Sequence, residues 1–212
     1  MAVSAVSGPF TRSAWKRRLG LLQDATLVCV SAVFFYLHAA KTLDGDLTNV
    51  AFAAEQGLLV FMFLTRRRSL ATSTRPFDWL VAAGAWLPLL MRPIASDGPL
   101  AQAGTMVQVA GLGLACVGFV YLGRSFGVVA ANRGLKTAGP YRLVRHPIYF
   151  AHTVTLVGFC LANPSPWNLG LFALTLACQL LRIRAEEKVL SDTASYAEYR
   201  AQVRWRLIPG LY

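Results

Sequence analysis

The run Leu100-Ala-Gln-Ala-Gly-Thr-Met-Val-Gln-Val-Ala-Gly-Leu-Gly-Leu-Ala-Cys-Val-Gly-Phe-Val-Tyr-Leu122 contains no charged side chain. It is as long as a helix must be to cross about 30 Å of hydrocarbon. Backbone exposed to lipid has to satisfy its own hydrogen bonds, so helix rather than strand is expected. Gly111, Gly113 and Ala115 suit the close approach of a second helix, which small residues permit in a membrane. Gly111-Leu-Gly113 is not the opening of a dinucleotide fingerprint, because no strand precedes it and no third glycine follows.

Toward the N-terminus the same pattern recurs. Apolar runs from about Leu19 to Ala40, Val50 to Thr65 and Phe77 to Met91 predict three further spans, the last with a kink at Pro88. Basic residues flank one side: Trp15-Lys16-Arg17-Arg18, then Arg66-Arg67-Arg68 with Arg75. The opposite turns hold Asp44 and Asp46, and Asp97 beside Arg92. The positive-inside rule then places both ends of this four-span bundle in the cytoplasm. An apolar run reaching Ala40 exceeds the core of a cleaved signal peptide, so the first is expected to be an uncleaved span.

Composition agrees. The 212 residues are 55% hydrophobic and only 15% charged, with mean hydropathy +0.47, whereas about a quarter of residues are charged in a soluble domain. The net charge of +11 fits cytoplasmic loops and anionic lipid headgroups; no nucleic-acid module is present. Cys29, Cys116, Cys160 and Cys178 lie in apolar runs without a CxxC pair and read as free, buried thiols. Three histidines do not make a structural zinc site or a di-metal oxidase, so no metal is expected.

Toward the C-terminus the character changes. From Gly123 to His146 there are five basic residues and no acid: Arg124, Arg133, Lys136, Arg142 and Arg145. Two shorter apolar runs follow, Ile148 to Ala162 and Trp167 to Leu181, split by Asn163-Pro-Ser-Pro166. They predict a helical hairpin over 148–181 that is tilted or stops part-way across the bilayer. A cytosolic tail ending irregularly at Pro209 completes the chain. The expected fold is an all-α polytopic bundle: membrane helices over 1–122, and a ligand-binding half over 123–212.

Two clusters could carry chemistry. Gly139-Pro-Tyr-Arg-Leu-Val-Arg-His-Pro-Ile-Tyr149 packs a turn, two tyrosines, two arginines and a histidine into one short segment. The proline after His146 forbids helix before it and lets one start at Pro147. Each residue singly could be an interfacial anchor; together they could equally form the floor of a ligand site. The second cluster is Glu186-Glu187, the first acids after Asp97. Arg182 lies four residues before Glu186, which is ordinary helix ion-pair spacing and could be no more than a solvated helix start.

The ordered set Gly139-Pro-Tyr-Arg-x-x-Arg-His-Pro-x-Tyr149, Arg182-x-x-x-Glu186-Glu187 and Tyr196-x-x-Tyr199-x-x-x-Val203-x-x-Arg206-x-x-Pro209 resembles the isoprenylcysteine carboxyl methyltransferase family. The wider group it resembles includes membrane phospholipid N-methyltransferases. The resemblance implies an S-adenosylmethionine site at the cytosolic face, lined by His146, Pro147, Ile148 and Tyr149 with Tyr141 beside them. It makes Glu186 a cofactor-binding glutamate, Glu187 its companion as in the phospholipid enzymes, and Arg182 the residue that meets the methyl acceptor. Residues 133–136 match an upstream cofactor-contacting strip. That match adds Leu135 and Lys136 to the implied cofactor-binding residues, although only the leucine of the strip is retained and the spacer from Glu187 to Tyr196 is slightly short.

The chemistry of such a cofactor fits these side chains. Its carboxylate suits Arg145, His146 and the N–H groups of a helix starting at Pro147. Its ammonium and ribose suit Glu186 and Glu187, and its adenine suits Tyr141 or Tyr149. The expected activity is carboxyl methylation of an isoprenylcysteine-like or other lipophilic acceptor entering from the bilayer. A phospholipid N-methyltransferase and a thiol S-methyltransferase are the nearest alternatives. An NADPH-dependent membrane reductase and a non-catalytic membrane component are more distant ones.

Overall fold

The computed structural model describes residues 14–45, 49–65, 67, 71–73, 75–94, 98–127, 129–191 and 193–212. Residues 1–13, Asp46, Arg66, Arg68 and Asp97 lie outside the described residues, as do the side chains of Trp15 to Arg18 and Asp24. Seven α-helices carry the architecture of the described residues: α1 (Ala14–Leu43), α2 (Asn49–Thr65), α3 (Pro76–Ala83), α4 (Pro99–Leu122), α5 (Pro147–Ala162), α6 (Pro166–Leu190) and α7 (Ala194–Gln202). Strand is confined to two residues each of β1 (Ala71–Thr72) and β2 (Ala131–Asn132), paired antiparallel with Ala71 opposite Asn132.

The central contact is α4 against α5, running antiparallel. Its seam is a stripe of glycines one heptad apart. A Cβ on Gly104 would strike the main chain of Ala162, one on Gly111 would lie 2.5 Å from Thr155 N, and one on Gly118 would lie 2.7 Å from Ile148. Gly158 on α5 meets the main chain of Gln108 and Gly104 in return. Small residues let the two backbones approach this closely, which is how helices gain dispersion contact without a hydrophobic driving force. Gly111 and Ala115 therefore face inward as expected, whereas Gly113 does not belong to the seam. A Cβ there would meet open space, because the two residues from Gly111 turn the helix by about 200°.

Ala115, Phe119 and Met62 pack with Ala151 to join α2, α4 and α5. The expected kink at Pro88 takes a specific form. Helix α3 continues from Gly84 to Leu90 as a 3-10 helix containing Pro88, since proline offers no N–H to the carbonyl four residues back. Gly84 lets that segment lie against Cys178 of α6, where a Cβ would come within 2.6 Å. At the far end of α6, fully buried Asn168 accepts from Arg92 N (2.9 Å) and donates to the carbonyls of Arg92 (2.9 Å) and Asn163 (2.8 Å). Both its N–H donors and its carbonyl oxygen are engaged in holding the loops there.

Two helices are long and apolar enough to cross a membrane, Ala25–Leu43 and Pro99–Ser125, while Asn49–Thr65, Pro76–Leu90 and Pro147–Ala162 are shorter. Only 11% and 28% of the two long windows are buried, so neither is the shielded core helix of a soluble protein. Large apolar side chains stand exposed along the bundle, among them Leu64, Leu80, Met106, Val120 and Leu174. The second arm of the hairpin departs from its expected end at Leu181. Helix α6 runs without a break through Arg182 and both glutamates to Leu190, because no proline or glycine interrupts it there and its last turn is rich in good helix formers. Of the cysteines, Cys160 is buried but Cys29 is exposed on α1, outside any core.

Candidate functional site

The site forms where the 139–149 segment meets the end of α6 and the chain after α7. Gly139 adopts φ +61°, and Gly139–Arg142 forms a 3-10 turn that delivers Val144, Arg145 and His146 in non-helical conformation to the start of α5. Pro147 occupies the first helical position as expected, and no side chain caps the helix at His146. Arg145 N and His146 N donate to the carbonyls of Trp205 (2.9 Å) and Arg206 (2.8 Å), which stitches the segment to the C-terminal chain. Tyr199 Oη adds a hydrogen bond to the Tyr141 carbonyl at 2.7 Å.

Successive residues of α6 point different ways, and the two glutamates do different work. The Glu187 carboxylate is buried and both its oxygens are engaged. Oε1 accepts from Arg145 Nε at 2.8 Å and Oε2 from Arg206 Nε at 2.9 Å. Arg145 Nη1 also donates to the carbonyls of Val203 (2.8 Å) and Arg204 (2.9 Å). Burial alone would raise the Glu187 carboxyl; His146, with Nε2 at 3.4 Å, and the Arg145 hydrogen bond and charge overcome it and hold it at about 2.

Glu186 faces the other side. Its Oε1 accepts from Tyr149 Oη and lies 4.0 Å from Arg182 Nη2, and its Oε2 lies 3.8 Å from His146 Nδ1. The Arg182 guanidinium sits over the Tyr149 ring, 5.1 Å from its centre. The Glu186 side chain keeps 22% of its exposure, against 8% for Glu187. Buried His146 contributes an Nε2 that, although close to Glu187, has no hydrogen-bond partner. Tyr141 is buried beside this group; burial first and the Glu186 charge second push its hydroxyl well above the usual tyrosine range, so it stays protonated.

The structure thus brings Tyr141, Arg145, His146, Pro147, Tyr149, Arg182, Glu186 and Glu187 to one junction. The Ile148 side chain is turned instead into the α4 seam beside Gly118, leaving only its main chain near the junction. Leu135 packs on Tyr196, Tyr199 and Val203, behind the site, and Lys136 follows it half-buried. Sequence reasoning assigned no role to Arg206 or to the carbonyls of residues 203 and 204. The one available signal was an arginine at fixed distance after two tyrosines, which says nothing about its partner.

The phospholipid methyltransferase family matches residues 100–197. This part of the chain is similar to phospholipid methyltransferases. The family group takes in both isoprenylcysteine carboxyl methyltransferases and phospholipid methyltransferases, enzymes of membrane type. None of the curated proteins matches the chain. The matched region begins in the first turn of α4 and ends in α7. It therefore includes the glycine seam, the 139–149 segment and both glutamates, but not Arg206.

Proposed function

We propose that the protein is an integral-membrane, multi-pass S-adenosylmethionine-dependent methyltransferase that takes a lipophilic acceptor from the bilayer, with carboxyl methylation of an isoprenylcysteine-like acceptor as its reaction. The observation that carries this reading is the junction of His146, Tyr149, Arg182 and Glu186 inside a methyltransferase domain. The lipid-facing apolar surface supports the membrane placement, since soluble monomers rarely expose contiguous apolar patches of more than a few hundred Å². The four-span count for the N-terminal part relies on α2, and on α3 with its 3-10 extension, crossing although they are short. The cytoplasmic placement of the site and of both termini is supported by the cations gathered at this end. Arg67 N donates to the Arg124 carbonyl at 2.7 Å, and β1–β2 pairing ties the same two loops together.

The residues present fit the cofactor. Glu186 is a partly exposed carboxylate suited to an ammonium or a ribose hydroxyl. The uncapped start of α5, with the His146 ring beside it, suits a carboxylate. Tyr149 and Tyr141 border the same space and suit an aromatic base. Glu187 holds Arg145 and, through the main-chain bonds at residues 145 and 146, keeps this wall in place. Bound S-adenosylmethionine would supply an electrophilic methyl group on a sulfonium.

A carboxylate acceptor is already a nucleophile, and it needs only positioning and exclusion of water. Arg182, over the Tyr149 ring and 4.0 Å from Glu186, would hold it. An amine or thiol acceptor must also lose a proton. That is the alternative reading, phospholipid N-methylation or thiol S-methylation, and His146 is the residue in the junction that could receive it. The match is to methyltransferases rather than to the similar membrane reductases.

The test is methyl transfer from labelled S-adenosylmethionine by the full chain in lipid nanodiscs. The panel of acceptors is farnesylcysteine, phosphatidylethanolamine, a fatty acid and a thiol. Calorimetry with S-adenosylmethionine and S-adenosylhomocysteine runs beside it. Label in farnesylcysteine is expected; label in phosphatidylethanolamine or the thiol selects the alternative. No heat with either cofactor form refutes the methyltransferase reading itself.

A further inference from the structure

On the other side of the Arg145–Glu187 pair from Glu186 lies a separate hollow of about 400 Å³, lined by Arg145, Arg200, Arg204, Trp205, Arg206 and Tyr212. Four arginines line it. Arg145 and Arg206 share the single carboxylate of Glu187, and Arg200 and Arg204 are exposed with no ion pair among the described residues. Against the one carboxylate of Glu187, the four arginines leave an excess of positive charge. The walls also offer a half-exposed indole at Trp205 and the ring of Tyr212, stacked on Arg206 at 5.2 Å.

The geometry points to a second anion site, and we propose that this hollow binds the phosphate group of an anionic lipid headgroup. Arginine presents several N–H donors in a fixed fork, which suits the tetrahedral oxygens of a phosphate. Arg200 stands near the end of α7, and Arg204 lies in the extended chain just beyond it, so both reach the hollow from a single short element. That element is held down by buried Tyr196 and Tyr199, so the two arginines are presented from a fixed backbone and not from a free tail. Trp205, an amphipathic ring beside the cations, suits the interfacial depth at which headgroup phosphates lie.

The hollow differs from the proposed methyl-transfer site in its lining and in its charge. Glu186, Tyr149 and Arg182 do not border it. Two of its lining residues, Arg145 and Arg206, are the arginines that hold Glu187. A phosphate seated there would compete with Glu187 for Arg206, so the occupant can be felt across the wall. A soluble phosphate would offer the same oxygens, and the experiment separates the two sources.

Full-length protein in neutral detergent is titrated by calorimetry with short-chain phosphatidylglycerol, with short-chain phosphatidylcholine and with inorganic phosphate. The expected result is saturable binding of phosphatidylglycerol that weakens by about tenfold or more in Arg200→Gln/Arg204→Gln, since hydrogen bonds to charged groups are lost. Arg200→Lys/Arg204→Lys should retain part of it. Phosphatidylcholine, whose choline offsets the phosphate, should bind weakly to either form. Inorganic phosphate binding as tightly as phosphatidylglycerol, and equally lost in the glutamine variant, overturns the lipid source and leaves a phosphate site. Unchanged phosphatidylglycerol affinity in a glutamine variant with an unaltered unfolding temperature overturns the proposal, as does absence of saturable binding to the parent protein. Should the double variant fail to fold, Arg204→Gln alone carries the comparison. S-adenosylmethionine binding by the same variants keeps this result separate from the methyltransferase reading, and should be retained.

Discussion

Arg145 Nε meets Glu187 Oε1 at 2.8 Å across a separation of 42 residues, with side-chain exposures of only 4% and 8%. Arg206 closes the group from the other side at 2.9 Å. The ion triad joins three parts of the chain: the turn before α5, the last turns of α6 and the strand-like segment after α7. Removing its carboxylate leaves a buried guanidinium facing two carbonyls and no anion. Glu187→Gln is expected to cost about 3–5 kcal/mol of stability, the range for breaking a buried pair by deleting one partner. Thermal unfolding in detergent reads this out, and a shift of under a degree would contradict it.

The same residue sets an acid limit. The Glu187 carboxyl is held at about 2 in the folded protein, below the ordinary value of 4.5. A depressed folded value contributes stability that is present in full above about 4.5 and is lost as pH falls toward about 2. Unfolding temperature should therefore decline across that window. In Glu187→Gln the decline should be shallower by the share this one carboxylate contributes.

Glu186 is expected to behave in the opposite manner. It is partly exposed and pairs mainly with a tyrosine hydroxyl, so Glu186→Gln should leave the unfolding temperature nearly unchanged. Its affinity for S-adenosylmethionine should fall by about tenfold, the loss of one charge-assisted hydrogen bond. Equal affinity in calorimetry would remove Glu186 from the cofactor site.

Arg182→Ala separates the two ligands. With the guanidinium gone from above Tyr149, acceptor KM should rise or transfer should cease, while S-adenosylmethionine still binds. If cofactor affinity falls with it, Arg182 belongs to the cofactor instead.

The glycine seam makes a paired prediction. Gly104→Ala places a methyl group against the main chain of α5, and such overpacking costs about 1–3 kcal/mol. Gly113→Ala, nine residues on and facing open space, should be neutral or stabilising by up to about 1 kcal/mol from helix propensity. Similar unfolding temperatures for the two variants would rule out the seam.

Much of this molecule is legible along the chain. Apolar runs set the helices because a helix that faces lipid declares itself by length and lack of charge, and α2, α4 and α5 begin and end within a residue or two of expectation. Pro147 sets the start of α5 through its own ring, a local effect. The order of the tyrosine, arginine, histidine and glutamate motifs is likewise a one-dimensional property, and it led to the family. Tertiary structure alone decided which glutamate does what. Glu186 and Glu187 are adjacent and chemically alike, yet a 100° turn of α6 sends one toward Tyr149 and the other into Arg145 and Arg206. It also decided that Gly104, Gly111 and Gly118 form the seam while Gly113 does not, and that Ile148 packs into α4. Each of these depends on which helix lies opposite, and spacing along a single helix carries no record of its neighbour.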